Sequence, residues 1–222
     1  MKLALVSFFV ALVAAPLAAQ AAQSPARFAL TLNATVVDHF TYSLVRVSED
    51  CSIRRTGFGG RELRLRSPRA TEIQVTRGPT GLVYRPGRVL ARVTGVAPIG
   101  SFGEVKRCRA EPILKGSGDC KARTLEPRRL RVGFHSGRGM LAFQKPAVPG
   151  DVQLCGLDQT YQGGWLQLAP GRVDANALLN GTALRVVAYG SAKREATVVS
   201  TPTLRVAQRT TVRWTLAFRR LS

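Results

Sequence analysis

The sequence predicts an all-β protein, an antiparallel β-sandwich of about 11–13 short strands stapled by two disulfides. Apolar and polar residues alternate with a period of two in many short segments. Turn residues separate these segments at intervals of about 8–12 residues, and the one helix candidate is short. Such alternation gives each strand one face for a core and one for solvent, which a parallel, helix-covered sheet does not need.

The alternation is clearest in the first and last predicted strands. Apolar side chains occupy every second position from Phe28 to Val36 and again from Val212 to Phe218. The helix candidate covers residues 174–179, with Asp174 as its N-cap. Similar runs predict further strands near residues 40–47, 62–66, 71–76, 88–94, 128–134, 139–144, 164–168, 184–189, 195–200 and 203–208.

Glycine-rich and polar segments are predicted to separate these strands. Residues 57–60 are predicted as a turn, and Asp38 and His39 as the connection between two strands. Residues 95–127 are predicted as a Gly/Pro/Cys-rich loop within a single domain that spans residues 22–222. The alternative is two small sandwiches divided at this loop.

The N-terminus has the parts of a secretory signal peptide. Lys2 precedes an apolar run, and Ala19 and Ala21 have the A-x-A spacing of a cleavage site. The run is shorter than the roughly 20 residues that span a membrane, and Pro16 interrupts it. We therefore expect removal of residues 1–21, and a secreted or cell-envelope protein with no transmembrane segment after cleavage.

The cysteines indicate disulfides rather than a metal site. Cys51, Cys108, Cys120 and Cys155 include no pair with the close spacing of zinc ligands. An even number of cysteines in an exported chain favours two disulfides. Of the three connectivities we favour Cys108–Cys120, which closes a short Gly/Pro-rich loop, together with Cys51–Cys155.

The chain is strongly basic. It has 33 Lys and Arg residues against 13 Asp and Glu, a net charge of +20, and only six of the basic residues are lysine. A GC-rich genome explains the preference for arginine but not the shortage of acids. The net charge therefore points to an anionic polymer, because the guanidinium group binds phosphate and carboxylate with paired hydrogen bonds.

Several arginines alternate with apolar residues, which predicts that they point to solvent. If their strands share a sheet, they form an outer face that binds phosphates or uronates. The alternative is that outward positions are polar in any sheet and arginine is the default polar residue of this chain. The predicted polyanion-binding residues are Arg64, Arg66, Arg129, Arg131, Arg213 and Arg219.

Aromatic residues are too few near the basic ones to suggest single-stranded nucleic acid. Trp214 and the phenylalanines fall in apolar-face registers and are expected in the core, whereas Trp165, after two glycines, is expected at the surface. We expect no specific nucleic-acid partner, and the sequence does not indicate an oligomeric state.

No catalytic constellation is recognisable. His39 and His135 are the only histidines, Ser136 lies next to His135 and so points to the other strand face, and no G-x-S-x-G motif is present. We expect no metal and no cofactor. The favoured interpretation is a non-catalytic binding module of the cell envelope. The alternatives are a carboxylate-dependent hydrolase of surface polysaccharide and a purely structural envelope protein.

Two cysteine-centred segments and one segment near the C-terminus carry a resemblance. Tyr42 and Glu49-Asp50-Cys51 with Gly57-Phe58-Gly59, then Gly118-Asp119-Cys120, and the closing Val212-Arg213-Trp214-Thr215-Leu216 resemble uncharacterised exported β-rich proteins of GC-rich bacteria. The resemblance implies one folded unit and no particular activity.

The first testable prediction concerns processing. The exported protein should lack residues up to about Ala21 and contain no free thiol, because disulfides form in an oxidising compartment. Intact-mass measurement of exported protein, with and without alkylation, checks both points. A retained Met1 would contradict the cleavage site, and alkylation of unreduced protein would contradict the disulfides.

Overall fold

The computed structural model describes residues 25–137, 140–144 and 151–222 of the chain. The predicted signal peptide lies outside the described residues. All strand pairings between described residues are antiparallel, which confirms the predicted all-β class.

These residues contain fourteen strands, more than the predicted number, because several are only two or three residues long. The strands are β1 (Ala26–Val47), β2 (Cys51–Arg66), β3 (Thr71–Gly78), β4 (Gly81–Arg85), β5 (Arg88–Cys108), β6 (Leu114–Cys120), β7 (Arg123–Thr124), β8 (Arg128–Gly137), β9 (Met140–Phe143), β10 (Asp151–Gln153), β11 (Thr160–Gln162), β12 (Gly171–Arg172), β13 (Arg185–Ser200) and β14 (Leu204–Arg220).

Twelve strands form one sheet, and part of this sheet closes on itself. β1 pairs with both β2 and β14, and the order returns from β14 through β13, β12, β9, β8 and β5 to β2. The larger core cluster, which includes Phe28, Leu65, Val132 and Trp214, is enclosed by this closed part. The burial of Trp214 confirms its predicted place in the core.

The far halves of the long strands form an open part of the sheet. Residues 151–168, here called the cover segment, contain the small β10–β11 sheet. The cover segment packs against this open part of the large sheet. A second core cluster joins Phe40, Tyr42 and Val206 of the sheet to Leu154 and Tyr161 of the cover segment. The fold therefore has two cores that share the same long strands.

Two disulfides are present, but the predicted pairing is wrong. Cys51 bonds to Cys108, and Cys120 bonds to Cys155. Cys51 and Cys108 lie directly opposite each other in β2 and β5, with Cα atoms 4.1 Å apart. Cys120 lies opposite Gly100 on β5, eight residues from Cys108 and therefore about 26 Å along the strand. It bonds instead to the cover segment, which packs beside β6.

Two predicted turns lie inside strands. Asp38 and His39 are in the middle of β1, so the predicted strands 28–36 and 40–47 are one strand. Residues 57–60 belong to β2, where a Cβ atom on Gly60 would lie 2.1 Å from the carbonyl oxygen of Asp38. This glycine is required by the close approach of two strands rather than by a turn.

The predicted loop at residues 95–127 is mostly strand. β5 continues to Cys108, and β6 and β7 both pair with it. The register between β2 and β5 shifts between Gly60 and Glu62. A bulge of this kind adds residues to one strand and interrupts the alternation, which accounts for the irregular sequence pattern.

A buried polar layer lies between the two cores. Asp38 points inward between Val36 and Phe40, and its carboxylate pairs with Arg61 at 2.8 Å, with both side chains almost fully buried. The same carboxylate accepts hydrogen bonds from the Thr210 hydroxyl, the Gln208 amide and the backbone N–H of Gly164. The layer thus joins β14, β1, β2 and the cover segment.

Trp165 is buried, contrary to the sequence prediction, with 2% of its surface exposed. The guanidinium of Arg61 lies 5.1 Å from the centre of its ring. Residues 164–168 are not a strand but lead into a 3₁₀ helix over Leu166–Leu168. The predicted helix is confirmed as α1 (Ala175–Leu179), and its N-cap Asp174 accepts two backbone hydrogen bonds.

The second prediction concerns the crossing of the cover segment over the polar layer. A Cβ atom on Gly164 would lie 2.1 Å from Cγ2 of Thr210, so Gly164→Ala should lower the free energy of unfolding by about 1–3 kcal/mol. Gly116→Ala is the matched control, because no atom lies within 4 Å of its Cβ position. Equal denaturant midpoints for the two variants would contradict the close packing.

The third prediction concerns alkaline pH. Burial of the Tyr84 side chain raises the pKa of its hydroxyl from 10.0 to about 12. The neutral phenol therefore stabilises the fold fully below pH 10, and this contribution is lost as the pH rises through 12. Tyr84→Phe should lose less stability between pH 10 and 12 than the unchanged protein. Tyr189→Phe, at an exposed position, should behave like the unchanged protein.

Candidate functional site

All six arginines predicted to bind anions are exposed and lie on strands of the twelve-stranded sheet. Two are on β2, two on β8 and two on β14. In each strand a buried core residue lies next to at least one of them: Leu65 on β2, Val132 on β8 and Trp214 on β14. The condition that these strands share one sheet, with the arginines on its outer face, is therefore met.

Four arginines form a compact group on three neighbouring strands. Arg92 of β5 lies opposite Arg66 of β2 on one side and Arg129 of β8 on the other. Directly opposite residues have Cβ atoms about 4.5–5.5 Å apart. Arg131 follows two positions along β8, about 6.7 Å from Arg129. We call Arg66, Arg92, Arg129 and Arg131 the arginine array.

Sequence reasoning missed Arg92, although it placed a strand over residues 88–94. Val89, Ala91 and Val93 are buried on the inner face of this strand, so Arg92 between them points outward. The alternation therefore contained the signal. What it did not contain was the strand order, which puts β5 between β2 and β8.

The other three predicted arginines do not join the array. Arg64 pairs with Glu62 at 2.8 Å. Arg213 lies on β14, where Thr35 of β1 separates it from Arg64. Arg219 lies opposite Arg185 at the other end of β14. The predicted set thus contains three members of one group and three dispersed residues.

The array combines opposed arginines on three neighbouring strands with the absence of any acid among its members. No member has an ion-pair partner among the described residues. Several exposed acids elsewhere do pair with cations, as Glu72 does with Arg27. Like charges directly opposite each other destabilise a sheet, and a bound anion would relieve this repulsion.

Glu195 illustrates the opposite arrangement. It lies near the far end of β13 and receives a hydrogen bond from Arg209 at 2.8 Å, with Lys193 3.6 Å away. The hydrogen bond from Arg209 and the two positive charges lower the pKa of the Glu195 carboxyl. The basic side chains there are already partnered, whereas those of the array are available to a ligand.

The histidines take part in no catalytic group within the described residues. The ring of His39 stacks near Phe58, with centroids 5.8 Å apart, on the outer face. The hydroxyl of Ser136 donates to the carbonyl of Met140 at 3.1 Å and not to His135. Across residues 25–137, 140–144 and 151–222, no cluster of three or more His, Cys, Asp or Glu side chains could hold a metal ion.

The chain matches no known protein family, no curated protein and no solved structure. In the described part of the chain, no helix has both the length and the hydropathy that crossing a membrane requires. The site is therefore interpreted from its own residues.

A separate cleft of about 610 Å³ lies between the cover segment and the edge of the sheet at β6 and β7. Its lining includes two exposed carboxylates, Asp119 and Asp158, and the cations Arg55, Lys121 and Arg123. Arg55 is held in place by Glu104 and by the carbonyl of Gly156. Two acids without an ion-pair partner among the described residues thus face this cleft.

Proposed function

We propose that the protein is an exported, non-catalytic binding module of the cell envelope whose ligand is an anionic polymer. The observation that carries this proposal is the arginine array: four exposed guanidinium groups on three adjacent strands, with no acid paired to them in the described residues. Some other basic residues of the sheet do lie beside acids, as Lys193 and Arg209 lie beside Glu195 on β13.

The mechanism is multivalent recognition of repeated anionic groups. Each guanidinium offers a planar pair of N–H donors that matches a carboxylate or phosphate. Because the strands fix the spacing of the array before a ligand arrives, binding orders side-chain ends but no backbone. A polymer with closely spaced charges can then contact several members at once, and released counterions add to the affinity.

An extracytoplasmic location is part of the same proposal. The predicted signal peptide supports it, and the two disulfides support it because such bonds persist in oxidising compartments. The anionic polymers met there are those of the cell surface and the surrounding matrix. Phosphate and uronate groups both fit the array.

A second candidate function, hydrolysis of a surface polysaccharide, is favoured by the cleft that contains Asp119 and Asp158. A glycosidase needs one carboxyl group kept protonated by apolar surroundings and a second that is ionised. Both aspartates here are exposed and share the cleft with three cations. Loss of polysaccharide cleavage in Asp119→Asn and Asp158→Asn would support this candidate, and absence of cleavage by the unchanged protein would remove it.

The fourth prediction tests the array with two quadruple variants of equal charge. R66Q/R92Q/R129Q/R131Q should bind polygalacturonate and polyphosphate at least tenfold more weakly than R54Q/R172Q/R185Q/R205Q. The control arginines are exposed, lie on four different strands and have no ion-pair partner in the described residues. Fluorescence anisotropy at several salt concentrations measures both affinities.

The salt dependence gives a second readout of the same experiment. With roughly 0.7 counterions released per contact, loss of four contacts should reduce the slope of log K against log salt by roughly 3. The array variant should also be at least as thermally stable as the unchanged protein, because like-charge repulsion is removed. Equal weakening in both variants would show that only the net charge matters, and no binding by the unchanged protein would favour a structural role.

A further inference from the structure

One end of the arginine array opens into a groove of about 470 Å³. The groove lies between the turn that precedes β3 and the start of β5, and Arg131 of the array is part of its lining. Its volume falls within the range of sites for small ligands. One extended ligand can therefore occupy the groove and the array at the same time.

Three guanidinium groups line this groove: Arg69, Arg88 and Arg131. All three are exposed and have no ion-pair partner among the described residues. The one acid in the lining is Glu72. Its carboxylate accepts hydrogen bonds from Nε and Nη2 of Arg27. The groove therefore keeps an excess of positive charge.

The rest of the lining is aliphatic. Ala70, Pro86 and Leu90 contribute apolar surface, and Thr71 contributes a hydroxyl. No aromatic ring lines the groove, so it offers no platform for stacking a nucleobase. A ring with an apolar face, hydroxyl groups and an anionic substituent matches this combination, and a saccharide unit with a carboxylate or phosphate has all three.

We propose that the groove binds one sugar unit of the polymer through its carboxylate or phosphate, while the anionic groups of neighbouring units lie on the array. This inference rests on the proposed function and names its ligand class: an acidic or phosphorylated polysaccharide. The anionic group meets Arg69, Arg88 and Arg131, and the sugar ring covers Pro86 and Leu90.

The test uses single sugars, which are too short to reach across the array. Galacturonic acid, glucose 6-phosphate and neutral methyl galactoside are titrated into the full-length mature protein, followed by amide shifts in NMR spectra. We expect one or both anionic sugars to bind at the groove, and to bind at least tenfold more tightly than the neutral sugar. Comparison of the two anionic sugars distinguishes carboxylate from phosphate as the preferred group.

Variants separate the charge from the ring contact. R69Q/R88Q should weaken binding of the anionic sugar at least tenfold, while R54Q/R205Q leaves it unchanged. Leu90→Ala should weaken binding of the sugar but leave the weak binding of acetate or inorganic phosphate as it was. Equal binding of neutral and anionic sugars, or unchanged binding in R69Q/R88Q, would overturn the inference.

Failure of this inference can be told apart from failure of the proposed function. R66Q/R92Q/R129Q retains every arginine of the groove, so it should bind the single sugar normally and the polymer weakly. If polymer binding depends on the array but no single sugar binds, the groove inference is wrong and the array proposal stands. If the single sugar binds but R66Q/R92Q/R129Q binds the polymer as tightly as the unchanged protein does, the array proposal is wrong and the groove remains a site.

Discussion

The buried ion pair between Asp38 and Arg61 sets the arrangement of the rest of the structure. A buried charge is strongly unfavourable unless it is paired and its remaining hydrogen-bonding capacity is satisfied. Here the carboxylate accepts from Arg61, Thr210, Gln208 and the backbone of Gly164. These donors come from two neighbouring strands and the cover segment. The two strands and the cover segment must therefore all pass Asp38 at the same level along β1.

The same buried pair also determines which side chains of β2 point to the outer face of the sheet. Asp38 lies directly opposite Arg61 on β2 and Thr210 on β14, and a slip of one residue would move every side chain of a strand to the other face. Arg66 lies five residues along β2 from the inward-pointing Arg61 and therefore points to the outer face, where it lies opposite Arg92 of β5. The buried charge pair therefore fixes which face of β2 carries Arg66, the β2 member of the array.

The sequence allowed the class of fold and the outward direction of the arginines to be predicted, because both depend on local alternation. It did not allow features set by neighbouring strands to be predicted. Asp38 resembles a turn residue until Arg61 is known to face it. Trp165 resembles an exposed residue in the sequence, and its burial follows from the close packing of the neighbouring Gly164 against Thr210. The predicted disulfide pairing was wrong for the same reason, because the connectivity depends on which strands are adjacent.

The core beneath the array explains how the protein tolerates it. Leu65, Val93 and Val132 alternate with the array arginines and are almost fully buried. Burial of such a side chain contributes about 1.5–3 kcal/mol, whereas an opposed pair of like charges costs about 0.2–1 kcal/mol. The closed part of the sheet can thus hold several unpaired guanidinium groups at fixed spacing. A surface loop with the same charges would let them move apart, whereas the strands of a packed sheet keep these like charges close together.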